Sequence, residues 1–212
     1  MIRVAAIDCG TNSIRLLIAD LDGHGGLRDV VRTLEVVRLG EGVDRTGRFS
    51  QAALDRTLAV VRRYAGLCRE HGAERIRFVA TSATRDAANR TEFTDAVHAI
   101  LGVPVEVISG TEEAALSFRG ALTALTALAA SDSAAPPAQY LVVDLGGGST
   151  ELVLGGSTPS PPIQWMSVVC AWLNETSTAT HLSSRSSPPS DVTLPQHLTS
   201  RPPRSTSRRP PK

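Results

Sequence analysis

The sequence predicts an α/β fold built on a mixed sheet, and three observations carry that prediction. Strand-like apolar segments alternate with amphipathic helical ones along residues 1–156. The first three strand-like segments follow one another with no helix between them, so the sheet should begin antiparallel. A strand, an aspartate and a turn of glycine and small hydroxyl residues occur together twice, at residues 7–18 and again at residues 142–155.

Taken in order, "IRVAAIDCG" is a strand and "NSIRLLIADLDG" a second one closed by an Asp-Gly turn. "DVVRTLEVVRLGEGV" is a third strand running into a glycine-rich loop. In "SQAALDRTLAVVRRYAGLCREHG", Ser50 is the N-cap, Leu54, Leu58, Val61, Tyr64 and Leu67 recur at helical spacing, and Gly72 is the stop. "RIRFVAT" is a short buried strand, followed by "SATRDAANRTEFTDAVHAILG" as one helical stretch. "VPVEVIS" is a strand feeding the helix "GTEEAALSFRGALTALTAL", and "AASDSAAPPAQ" is a loop or hinge.

Composition narrows the class. The 212 residues suffice for one domain or for one and part of a second, and 42% hydrophobic residues is ordinary for a globular chain. No apolar run approaches the roughly 20 residues of a membrane helix, and the start "MIRVAAIDCG" carries no signal-peptide pattern, so a cytoplasmic protein without membrane partners is expected. Cys9, Cys68 and Cys170 have neither disulfide-framework nor zinc-ligand spacing and read as reduced small hydrophobes. The net charge of +1 hides a split: residues 1–156 balance to −3, while residues 157–212 balance to +4 and hold ten of the 13 prolines. That basic tail lacks interleaved aromatics, so nucleic acid is not an expected partner.

The repeated turn is where chemistry is expected. In the first copy Asp8 ends a strand, Gly10 lets the backbone turn, and Thr11, Asn12 and Ser13 offer hydroxyl, amide and backbone donors to a phosphate. Alone, it reads first as a plain Asx-turn hairpin. In the second copy Asp144 precedes Gly146, Gly147 and Gly148, then Ser149, Thr150 and Glu151. Missing Cβ atoms let backbone N–H groups approach an anion, and Asp144 and Glu151 are placed to hold a divalent cation. A glycine-rich β-turn is the plain alternative. Two copies that can face each other across a cleft are more specific than either alone.

With "AAIDCGTNSIRLLI", "RLGEGV", "ATSATRDAANR", "VISGTEEAALSFRGA" and "VVDLGGGSTELVLG" in this order, the chain resembles the exopolyphosphatase and guanosine pentaphosphate phosphohydrolase family of the actin-like ATPase superfamily. The resemblance implies two ribonuclease-H-like domains flanking a cleft. Residues 1–128 would form domain I, residues 129–139 a hinge, and residues 140–156 the first hairpin of an incomplete domain II. It implies hydrolysis of polyphosphate or guanosine pentaphosphate, with Glu113 as general base and Arg85 as a phosphate-contacting arginine. Magnesium would be held by Asp8, Asp144 and Glu151, and phosphates by the two turns. Glu112 then stays structural, a helix N-terminal carboxylate facing the macrodipole. The resemblance further implies a homodimer for the full-length family.

The resemblance ends just after "ELVLGG", where the family continues with a segment of the kind S-x-D-x-G-x-V-R-L-T-E. Residues 157–212, rich in Ser, Thr, Pro and Arg, bury too little to offset ordering entropy and are expected to be disordered. Permitted codons for residues 163–182, read two bases later, spell S-V-D-V-G-R-V-R-L-A-E-R-D-V-H-G-D-P-P, which implies a frameshift between about Gly155 and Ile163. The hairpin at 142–155 is then expected to be poorly anchored and the chain weakly active or inactive. Two other functions stay open: a kinase or ATPase of the same superfamily, which would lack the "SGTEEA" glutamate in this setting, and a non-catalytic phosphate-binding fragment.

Overall fold

The computed structural model describes residues 1–23, 26–129, 139–156 and 164–168. The first sheet has the order β3-β2-β1-β4-β5, from β1 (Ile2–Cys9), β2 (Ser13–Leu21), β3 (Leu27–Val36), β4 (Arg75–Ala80) and β5 (Val105–Val107). β1–β2 and β2–β3 pair antiparallel, whereas β1–β4 and β4–β5 pair parallel. The expected mixed sheet is therefore present. A second sheet, β6-β7-β8, comprises β6 (Gln139–Leu145), β7 (Thr150–Gly156) and β8 (Gln164–Val168).

The helices follow from their caps and apolar stripes. After the short α1 (Val43–Thr46), which the sequence reading does not anticipate, α2 (Gln51–Glu70) starts where Ser50 accepts a hydrogen bond from the Ala53 N–H at 3.2 Å. Its buried stripe includes Val61, Tyr64 and Cys68. The stripe covers Ala5, Ile7, Cys9, Ile14, Leu16 and Ile18 of β1 and β2, with Phe78, Phe93 and Val97 completing one core. The stretch expected as one helix is two, α3 (Ser82–Asp86) and α4 (Arg90–Leu101). The break has a tertiary cause: buried Asn89 accepts from the Phe49 N–H at 2.8 Å and donates to the Phe49 carbonyl at 3.2 Å.

After β5, α5 (Gly110–Ala129) packs on the second sheet. Ala114 and Phe118 meet Val153, with Leu122, Tyr140 and Val142 around them. A Cβ on Gly155 would stand 2.4 Å from Phe118 Cζ, so glycine there is what lets β7 lie against the helix. The hairpin expected to be poorly anchored is thus held by α5 on one face and by β8 at one edge. β8 also corrects the expectation of disorder through residues 157–212, because residues 164–168 pair antiparallel with β7. Residues 169–212 lie outside the described residues, as do residues 130–138 of the expected hinge, whose first and last residues belong to α5 and β6. No helix among the described residues is long and apolar enough to cross a membrane.

Candidate active site

The two turns close with the same backbone hydrogen bond. In the first, the Gly10 N–H donates to the Ser13 carbonyl at 3.0 Å; in the second, the Gly146 N–H donates to that of Ser149 at 2.9 Å. Asp8 is paired across its hairpin with Arg15, and Asp144 across its own with Glu151. The first turn is braced from behind. The Val37 and Arg38 N–H groups donate to the Asn12 carbonyl at 2.9 and 2.8 Å, and Gly40 N–H to that of Thr11 at 2.8 Å. Arg38 reaches this position with φ 49, the only non-glycine with positive φ among the described residues. Thr11 Oγ1 also lies 2.8 Å from Ser82 Oγ at the start of α3.

The turns meet. A Cβ on Gly147 would come within 2.7 Å of Asn12 Cβ, and one on Gly148 within 2.9 Å of Thr11 Oγ1. Neither glycine has left-handed φ. Their contribution is the missing Cβ, which lets one turn seat against the other. Beside this contact lies a cleft of about 530 Å3. It is lined by Asp8, Gly10, Thr11, Asn12 and Ser13 from the first turn, by Asp144, Gly146, Gly147 and Ser149 from the second, and by Glu113 from the first turn of α5.

Three expected residues do not line it. Arg85, read as a phosphate contact, instead donates to Glu113 Oε2 at 2.9 Å and to the Ile108 carbonyl at 2.7 Å. It holds the carboxylate from behind, and Gly148 sits in the turn-to-turn contact. Glu151 is buried on the α5 side of the hairpin, its Oε1 without a partner among the described residues. Burial pushes its carboxyl above the usual range, the Ser149 hydroxyl bond works against that, Glu113 and Asp144 add to it, and Arg85 offsets part. Asp8 is raised as well, by burial first, with Arg15 at 3.6 Å opposing and Glu113 and Asp144 reinforcing.

The cleft therefore gathers carboxylates that repel one another. Among the described residues no three His, Cys, Asp or Glu side chains stand close enough to form a ready metal cage. Asp8 and Asp144 face the cleft while Glu151 does not. Two carboxylates open to a substrate suit magnesium, which binds through one or two carboxylates plus phosphate oxygens. Sequence reading missed Arg15, Thr81, Ser82 and Ser117 in the lining. All four lie within the quoted motifs, and Ser117, one helical turn beyond Glu113, was accessible from spacing alone.

The Ppx/GppA phosphatase family profile matches residues 17–167. The chain belongs to this family. The match runs past Gly155 into β8, so the family resemblance extends further than the motifs alone indicate. Exopolyphosphatase 2 of Mycobacterium tuberculosis is 54% identical over 161 residues, which cover 72% of this chain and 48% of that protein. Among solved structures, the chain is similar to an exopolyphosphatase-like protein, with TM-score 0.67 and 52% identity, covering 79% of this chain and 50% of that one. It is also similar to the Aquifex aeolicus family member, with TM-score 0.64 and 34% identity over 77% of this chain and 50% of that one. The chain spans about half the length of the curated relatives it matches.

Proposed function

We propose that this chain carries the nucleophile-activating side of a phosphohydrolase that releases terminal phosphate from inorganic polyphosphate, guanosine pentaphosphate or both, in the cytoplasm. The observation that supports it is the placement of Glu113: the carboxylate lines the cleft between two glycine-and-hydroxyl turns while Arg85 fixes its Oε2. The backbone N–H groups of the two turns, the hydroxyls of Thr11, Ser13 and Ser149 and the amide of Asn12 receive the terminal phosphate. A water held by the other Glu113 oxygen attacks phosphorus. The new P–O bond forms as the bridging P–O bond breaks, Glu113 takes the water's proton, and the shortened chain leaves with the bridging oxygen. Asp8 and Asp144 would hold magnesium, which when bound disperses charge on the transferring group.

The test is phosphate release with magnesium from long-chain polyphosphate, guanosine pentaphosphate and ATP, by this chain and by a form with the downstream reading frame restored. Glu113→Gln should lower turnover by about 10² to 10⁴. Near-full turnover in that variant would remove Glu113 from the mechanism, and faster release from ATP would favour an ATPase or kinase. A second reading is a phosphate-binding unit without catalysis, favoured by two turns whose glycines and hydroxyls line one cleft; phosphate binding by this chain with release by the restored form alone would support it.

A further inference from the structure

The first turn is held by a strap, residues 37–40, that does not itself line the cleft. The Val37 and Arg38 N–H groups donate to the Asn12 carbonyl, and the Gly40 N–H to that of Thr11. In a trans peptide the N–H points opposite to the carbonyl. Pinning these two carbonyls to the strap therefore turns the Asn12 and Ser13 N–H groups away from it, and both residues line the cleft. The Asn12 N–H has no acceptor among the described residues. The fit is close: a Cβ on Gly40 would lie 2.3 Å from Thr11 Cγ2.

Two successive strap N–H groups converge on one oxygen because Arg38 is left-handed, with φ 49. A non-glycine residue keeps such backbone only where its surroundings over-determine it. Arg56 of α2 does so. Its Nε donates to the Val37 carbonyl, and its Nη2 donates to the Arg38 carbonyl at 3.2 Å and to Glu41 Oε2 at 3.0 Å. The two carbonyls belong to the peptides on either side of the Arg38 Cα, so one planar guanidinium fixes both planes whose rotation defines the left-handed state. A lysine ammonium has no such fork. We infer that Arg56 is a positioning residue for phosphate binding: through Arg38 it holds the strap that presents the Asn12 and Ser13 N–H groups to the anion. This role rests on the reading of the first turn as a phosphate site, and not on Glu113 or on hydrolysis.

The test titrates inorganic phosphate, with magnesium, into this chain and follows the Thr11, Asn12 and Ser13 amides by NMR, so that binding at the turn is read apart from binding elsewhere. Arg56→Met keeps the stem and removes the fork; it should weaken phosphate at these amides by about tenfold, and Arg56→Lys by less. Arg38→Gly in the Arg56→Met background should restore affinity, because glycine holds a left-handed φ unaided. Val97→Ala, a truncation in the core under α4, should lower the urea midpoint without touching the strap and bind phosphate as the unsubstituted chain does. Amide spectra unchanged away from the strap and turn show that the Arg56 variants still fold. An equal loss in Val97→Ala, or no recovery with Arg38→Gly, overturns the inference. Phosphate that moves the three amides equally well in the unsubstituted chain and in Arg56→Met removes the role of Arg56 alone. Phosphate that moves them in neither removes the reading of the turn as well.

Discussion

The β1–β2 and β6–β7 hairpins share a turn and part company on either side of it. Both close with a glycine N–H on the carbonyl three residues later, and both put an aspartate at the mouth of the cleft. Across from that aspartate stands Arg15 in one and buried Glu151 in the other. One hairpin has its aliphatic face inside a core; the other shows that face to solvent and packs its polar-bearing face on α5. A short motif thus specifies a local turn, and the packing around it decides whether the neighbouring groups act as charge, support or surface.

The sharpest way to break the comparison is to truncate matched positions. Ile7 is 1% exposed in the core, and Ile7→Ala should cost about 2–5 kcal/mol of stability, from lost transfer energy and the cavity left behind. Val143, its counterpart, is half exposed, and Val143→Ala should stay within about 0.5 kcal/mol. Urea unfolding of the two variants checks this. Equal losses would mean that the second face is covered in solution.

A second pair of substitutions compares the turns themselves. A Cβ on Gly10 meets its nearest atom, the Ser13 oxygen, at 3.5 Å, an ordinary contact. One on Gly147 meets Asn12 Cβ at 2.7 Å and Asn12 N at 3.1 Å, so the two turns must separate. Gly147→Ala should therefore cost about 1–3 kcal/mol as overpacking, and Gly10→Ala less. Exchange at Thr11 and Asn12 amides should quicken only in the first variant. If it quickens in neither, the turns are not in contact in solution.

Much of this was legible in the sequence, for reasons tied to particular residues. Ser50, the Leu54 to Leu67 stripe and the doubled Asp-Gly turn are local signals, and each produced the element it announces. The break at Asn89 was not legible, because its cause is the backbone of Phe49, 40 residues away. Nor was the pairing of Arg85 with Glu113, 28 residues apart, which turned an expected phosphate contact into a support for the base. The attachment of α5 to the second hairpin rests on Phe118 meeting Gly155, a fit between two surfaces that neither segment reveals alone. β8 lies in a stretch whose composition argues against structure; it forms because β7 offers it an edge.

The smallest effect separates the far ends of the hairpins. Asp20, near the end of β2, is only 6% exposed and is clamped by Arg3 Nε at 2.7 Å and Nη2 at 3.0 Å, and by Arg28 Nη2 at 2.7 Å. Its counterpart in β7 is Gly156, which carries no charge. The hydrogen bonds from Arg3, then those from Arg28, hold the Asp20 carboxyl well below the usual range against the opposing effect of burial. A carboxyl depressed in the folded state stabilises above the unfolded pKa of about 3.9, and that contribution is lost as pH falls below it toward the folded value. Arg28 is 73% exposed, so solvent screens its share and the effect is modest. Asp20→Asn should lower the urea midpoint at pH 7, and the gap to the unsubstituted chain should narrow steadily between pH 4 and pH 2.5. Midpoints that fall in parallel over that range would mean that the clamp holds the strand by shape rather than by charge.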